Sequence, residues 1–155
     1  MKRFIFGLLI AVVVALGAVT ISSADTMSSG APAAPVFVTP DQLKWTPCPG
    51  MAGCSQAVVW GDPDNKTGDA WIIRLKLDDG VKVPVHWHTA SERGTVLSGT
   101  LLFAAGHKID PAKTTALPAG SFLFVPAMVH HYAIAKGAVV LQISGNGQRT
   151  FNLMK

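Results

Sequence analysis

Two histidines and a glutamate stand close together in the middle of the sequence, as His86, His88 and Glu92. Residues two apart in an extended strand point to the same face, so His86 and His88 can reach one centre while Trp87 points away. Imidazole nitrogens and a carboxylate oxygen suit divalent transition ions such as iron, manganese, nickel, copper and zinc. The spacing therefore predicts a metal site.

A second pair of histidines, His130 and His131, follows further along the chain, and the two segments together hold four of the five histidines in the sequence. Adjacent residues of a strand point to opposite faces, so only one member of this pair can join the first group. The remaining histidine, His107, lies in a polar loop, and we interpret it as a solvated residue.

The alternative to a metal site is an ordinary structural role. His86 and His88 would then be hydrogen-bonded core residues, and Glu92 would be an exposed residue paired with a basic neighbour. We favour the metal, because burying two imidazoles and a carboxylate without a partner is costly.

Short strands must hold these side chains in place. The clearest strand pattern is at 71–77, where Trp71, Ile73, Leu75 and Leu77 share one face. Similar segments recur at short intervals with glycine, proline, asparagine or aspartate between them, which is typical of an all-β sandwich or barrel. The predicted strands cover 57–61, 71–77, 81–88, 92–98, 100–105, 114–117, 121–125, 129–135, 139–144 and 149–154.

The N-terminal segment has the layout of a secretory signal peptide. Lys2 and Arg3 are followed by an uncharged apolar run over 4–21 and by small residues over 22–24. We therefore predict a leader over 1–24 and a periplasmic or secreted domain. The apolar run is about 18 residues long, near the lower limit for a membrane span. An uncleaved N-terminal anchor is the alternative.

The rest of the chain carries little net charge. Without Lys2 and Arg3, 11 basic and 9 acidic residues remain, and they form no basic cluster. This composition argues against a nucleic-acid partner and against an anionic membrane surface. Residues 25–44 begin with a stretch rich in serine, alanine and proline. We predict a flexible spacer there, with a possible edge strand over 36–45, and a single domain over 45–155.

Two cysteines, Cys48 and Cys54, lie in a short loop that contains glycine and proline. In an oxidising compartment the default interpretation is a disulfide, which would brace the entry to the domain. Metal ligation is the alternative, but no histidine or further cysteine is near them in the sequence.

The first histidine segment resembles a known family motif. The spacing of Gly80, His86, His88, Glu92 and Gly99 matches the first cupin motif at every defined position. The resemblance extends over most of the chain after residue 45.

The second histidine segment resembles the second cupin motif in part. Gly120, Pro126 and His131 fit the motif, whereas Met128 replaces its second glycine and Ala135 replaces its terminal asparagine. A glycine at such a position commonly permits a turn with positive φ.

The resemblance implies a single cupin jelly-roll barrel, or double-stranded β-helix, with a metal inside it. It also implies that His86, His88, Glu92 and His131 are the ligands of a divalent ion, which we expect to be iron, manganese, zinc or nickel. No further catalytic residue is assigned.

With His131 pointing inward, His130 points outward. We place His130, Met128 and Tyr132 around the ligands or at the pocket rim. The aromatic residues predicted to pack the barrel are Trp71, Phe103, Phe122, Phe124 and Tyr132.

The chain is similar to the cupin module of zinc-dependent anti-sigma factors and to small cupin dioxygenases. The first hypothesis is a dioxygenase-type metalloenzyme that acts on a small molecule. The second is a non-catalytic module that binds or senses a metal or a small ligand, and the third is a metal-free structural barrel. Cupin barrels often pair, so we expect a homodimer.

Overall fold

Nine strands build the computed structural model, which describes residues 34–154. All of them belong to one structural unit, Val36–Lys155. The strands are β1 (Thr46–Pro47), β2 (Cys54–Trp60), β3 (Ala70–Leu77), β4 (Lys82–Trp87), β5 (Glu92–Ala105), β6 (Thr115–Pro118), β7 (Phe122–Val125), β8 (His131–Asn146) and β9 (Asn152–Leu153). Short 3₁₀ turns occur at Pro40–Gln42 and Pro111–Lys113. The predicted leader over 1–24 lies outside the described residues.

Every strand pairing is antiparallel, and the sheet order is β1-β2-β3-β8-β4-β9. Strand β5 leaves this path and pairs with β6, β7 and β8. The long strand β8 therefore has β5 along one edge and β3 and β4 along the other, so the sheet curls around it. The predicted all-β barrel is confirmed.

The interior is filled by the alternating face of β3 and by the strands that flank it. Trp71, Ile73 and Leu77 are almost fully buried, as the alternation predicted. They pack in one cluster with inward side chains of β5 and β8, which include Val96, Leu101, Val139, Leu141 and Ile143. The indole of Trp71 donates a hydrogen bond to the carbonyl of Gly147 (2.6 Å), so its polar group is also satisfied.

The segment before the sheet differs from the prediction. No edge strand forms over 36–45; the chain makes a 3₁₀ turn at Pro40–Gln42 and pairs first at Thr46. The backbone N–H of Thr39 donates to the side-chain oxygen of Gln42 (2.8 Å), and this local bond replaces a strand partner.

Gly99 and Gly137 were predicted to separate strands, but each lies inside one long strand. Gly99 has φ of 75°, and the register of β5 against β8 shifts on both sides of Ser98. The glycine therefore forms a bulge, which bends the strand without ending it.

The prediction that Phe122 and Phe124 pack the barrel is wrong. Their side chains are 63% and 52% exposed, whereas Val125 is buried and Leu123 packs against the core cluster. The apolar face of β7 that points inward is therefore the one that carries Leu123 and Val125. Trp71 and Tyr132 are buried as predicted.

Helices of the length and apolarity that a membrane crossing requires are absent from residues 34–154.

Candidate functional site

Three buried histidines meet inside the barrel: His86 in β4, His88 just after β4, and His131 at the start of β8. Their nitrogen ligand atoms all lie within 4.8 Å of one another. In the pairing of β4 with β8, His86 stands directly opposite His131. The register shifts between Val83 and His86, around Pro84, which has no N–H to give to the ladder. The structure thus brings together three of the four predicted ligands.

The Nδ1 atom of each of these imidazoles contacts a backbone carbonyl oxygen. The pairs are His86 with Pro84 (2.7 Å), His88 with Thr150, and His131 with Val129 (2.9 Å). A carbonyl can only accept a hydrogen bond, so each Nδ1 carries the proton and each Nε2 keeps a free lone pair. This is the arrangement that orients metal-binding histidines.

Burial also keeps these imidazoles neutral. Desolvation, helped by the nearby His131, lowers the pKa of His86 from 6.5 to about 3. Desolvation is also the main cause that lowers the pKa of His88 and the pKa of His131. At neutral pH the three rings therefore offer lone pairs and carry no positive charge.

Glu92 begins β5 and is buried beside the histidines. Its Oε2 lies 3.2 Å from Nε2 of His88, and its Oε1 lies 3.5 Å from Nε of Arg149. Burial raises the pKa of the Glu92 carboxyl, and the Arg149 guanidinium opposes that rise. Glu92 does not belong to the group of mutually close ligand atoms, so its role as fourth ligand stays a prediction.

Three buried polar atoms around Glu92 lack a hydrogen-bond partner within the described part of the chain. They are Nε2 of His88, Oε1 of Glu92 and Nε of Arg149. Unsatisfied buried atoms are rare in folded proteins and call for an explanation such as a missing ion or water. Imidazole nitrogens and a carboxylate oxygen are suitable ligand atoms for a divalent transition ion.

The C-terminal segment supplies contacts that the sequence did not reveal. The carbonyl of Thr150 accepts a hydrogen bond from Nδ1 of His88, Arg149 faces Glu92, and Phe151 stacks on the ring of His86. The sequence predicted only a strand over 149–154, and the observed strand is limited to Asn152–Leu153. These residues belong to no recognisable sequence motif. The one available sign of a role in the site is Arg149, a basic residue in a predicted strand.

His130 points away from the three histidines, as its position next to His131 requires. Its ring lies near those of Trp87 and His107, at centroid distances of 6.3 Å and 4.6 Å. His107 itself is exposed, in agreement with its interpretation as a loop residue.

Met128 and Tyr132, like His130, do not line the barrel cavity. Met128 is 58% exposed with φ of 66°, and its N–H donates to the carbonyl of His88 (2.9 Å). Tyr132 is fully buried in the barrel wall, where its hydroxyl donates to the carbonyl of Asp110 (2.8 Å). Tyr132 is therefore a packing residue and does not stand at the rim, because it follows His131 and must point the other way.

The histidines open into a cavity of about 430 Å³ inside the barrel. Cys48 and Cys54 form a disulfide, and the loop that it closes lines part of this cavity. The remaining wall is mostly apolar and includes Leu75, Leu101, Phe103, Leu141 and Ile143. Among the described lining residues, the titratable side chains are the three histidines, Glu92 and Arg149.

A family model of the cupin domain matches residues 73–144, a range that contains all four predicted ligands. None of the curated proteins compared with the chain matches it.

Solved structures with the same architecture include an RmlC-like cupin from Shewanella frigidimarina, which is 19% identical, with a TM-score of 0.59 over 74% of this chain and 92% of that one. The polyketide cyclase RemF from Streptomyces resistomycificus is 16% identical, with a TM-score of 0.64 over 79% and 87%. A putative acetylacetone dioxygenase from Methylibium petroleiphilum is 18% identical, with a TM-score of 0.62 over 79% and 83%. At these identities the likeness shows the fold and not the reaction.

Proposed function

Because a cupin-domain model matches residues 73–144 and three histidines meet inside the barrel, we propose that this chain is a metal-binding protein of the cupin superfamily. The ligands are His86, His88 and His131, with Glu92 as the fourth. The ion is iron, manganese, zinc or nickel, whose preferences suit imidazole nitrogen together with one carboxylate oxygen.

The contact between His88 and Glu92 carries this proposal. Nδ1 of His88 holds the ring proton, so Nε2 has no hydrogen to donate to the carboxylate 3.2 Å away. Two acceptor atoms that face each other in a buried site repel unless a proton or a metal ion lies between them. A divalent ion satisfies both atoms at once.

Elemental analysis of the protein purified from its native compartment tests the proposal. We expect about one equivalent of a transition metal per chain. Less than about a tenth of an equivalent, together with no uptake on incubation with zinc, manganese or iron, would exclude a metal site.

We further propose that the site is a dioxygenase-type centre that acts on a small molecule. The bound ion would supply Lewis-acid or redox chemistry. The cavity has the size and the apolar wall of a small-molecule site. One solved structure with this fold is described as a putative acetylacetone dioxygenase, which makes small diketones a sensible first choice of test substrate. The test is oxygen uptake by anaerobically iron-loaded protein with small diketones, thiols and phenolics; no uptake with any of them argues against it.

A non-catalytic module that binds or senses a metal or small ligand is the second candidate. One observation favours it: apart from the proposed ligands and the Arg149 guanidinium, the described cavity wall offers no acidic or basic side chain. Tight zinc binding with a filled coordination shell supports this role, whereas an exchangeable water on the metal supports catalysis.

We also propose an extracytoplasmic location, which the Cys48–Cys54 disulfide supports because such bonds persist in oxidising compartments. Fractionation of cells and N-terminal sequencing of the mature protein test it. The homodimer stays a prediction, and light scattering of the purified protein measures it.

A further inference from the structure

Arg149 lines the barrel cavity, but the proposed metal coordination does not use it. Its backbone N–H donates to the carbonyl of Pro63 (2.6 Å), which fixes the chain at this point. Its side chain is only 18% exposed, and its Nε lies 3.5 Å from Oε1 of Glu92. That Nε has no hydrogen-bond partner among residues 34–154.

The charge of Arg149 has one possible partner in the cavity. Glu92 is the only acidic side chain among the described lining residues. A guanidinium stays charged at any ordinary pH, and a buried charge needs a partner. Once Glu92 binds a divalent ion, one carboxylate faces both the ion and the guanidinium. The cavity then holds surplus positive charge.

We infer that Arg149 binds an anionic oxygen of the ligand or substrate. The guanidinium presents a planar pair of N–H donors that suits a carboxylate. The apolar wall, which includes Leu75, Phe103 and Leu141, suits the rest of such a molecule. The cavity thus selects small molecules with a carboxylate or enolate at one end and an apolar body. This inference rests on the proposed metal site.

Benzoate and benzamide test the inference, because they have nearly the same shape and only benzoate is charged. Titration calorimetry of the zinc-loaded protein measures both. We expect benzoate to bind at least about tenfold more tightly than benzamide, the effect of one charge-assisted contact. Arg149→Gln should remove this preference. Arg149→Lys, which keeps the charge but loses the paired donors, should retain part of it.

Arg93→Gln is the matched control. Arg93 lies next to Glu92 in β5, but it is exposed and its guanidinium sits 5.7 Å above the ring of Phe124. Its removal changes the net charge by the same amount as Arg149→Gln. We expect the preference for benzoate to remain unchanged in this variant.

Zinc content is measured before either ligand is added, which separates the two proposals. Zinc-loaded protein that binds neither compound, or binds both equally, overturns the inference and leaves the metal site standing. A preference that survives at full strength in Arg149→Gln also overturns it, because the benzoate then binds elsewhere. A full preference in folded Arg149→Lys overturns the role of the paired guanidinium donors. Protein that takes up neither zinc nor manganese nor iron overturns both, because Glu92 then remains paired with Arg149.

Discussion

The ring of Phe151 stacks on the imidazole of His86, with centroids 4.1 Å apart and planes inclined by 25°. The imidazole is also held by its bond to Pro84, so two contacts fix its direction. We predict that Phe151→Ala lowers metal affinity by about tenfold, the effect typical of removing a contact that orients a ligand. Competition with a chelator measures it. Phe151→Leu is the control, and it should lose less because it keeps an apolar contact.

Substitution of the histidines should separate ligands from neighbours. We predict that His86→Ala, His88→Ala and His131→Ala each abolish metal retention, because three nitrogens supply most of the site. His130→Ala should spare it, since that ring lies beside His107 and not in the cavity. Elemental analysis after dialysis measures retention. Loss in His130→Ala without loss in His131→Ala would show that the wrong histidine was assigned.

The grouping of His86 with His88 was predictable because it follows from local geometry. Residues two apart along an extended segment point to the same face whatever the rest of the fold does. The outward direction of His130 and the buried face of β3 follow from the same rule, and the structure agrees with both.

Contacts between distant parts of the chain were not predictable in this way. Thr150 and His88 are 62 residues apart, and nothing in the local sequence brings them together. Gly99 could not be assigned either, because a glycine with positive φ serves a turn and a bulge equally well. For Phe122 and Phe124, every residue of β7 is apolar, so alternation gave no sign of the solvated face.

The metal-free protein should lose stability in acid. The folded-state pKa values of His86, His88 and His131 lie below the ordinary 6.5, with His86 near 3. As pH falls below about 6.5, the unfolded chain takes up protons that the folded protein refuses, so the free energy of unfolding decreases toward pH 3. Glu92, whose pKa is raised, opposes this trend, but it is one group against three.

Urea unfolding at pH 7.5, 6.5 and 5.5 measures this dependence. The decline should be shallower in His86→Gln, which removes the histidine whose pKa is lowered to about 3. If the free energy of unfolding stays constant or increases as the pH falls from 7.5 to 5.5, the histidines are already charged in the folded protein.

Removal of the disulfide should cost less stability than removal of one that closes a long loop. The bond joins Cys48 and Cys54 across a sequence separation of 6, so it restricts only a short loop in the unfolded chain. We predict that the double variant Cys48→Ser, Cys54→Ser has a free energy of unfolding lower by about 2 kcal/mol. Its metal content should not change, because neither cysteine belongs to the histidine cluster. Loss of metal from the folded double variant would show that the disulfide loop contributes to the metal site.

Met128 is the one non-glycine residue between 34 and 154 with positive φ, at 66°. Its Cβ makes this conformation unfavourable by about 1 kcal/mol, a cost that glycine avoids. The side chain is 58% exposed, so its loss removes little buried surface. We therefore predict that Met128→Gly is about 1 kcal/mol more stable than Met128→Ala, which keeps the Cβ and serves as the control. Urea midpoints at equal slope measure the difference. An alanine variant as stable as the glycine variant would show that the backbone relaxes to negative φ once the methionine is gone.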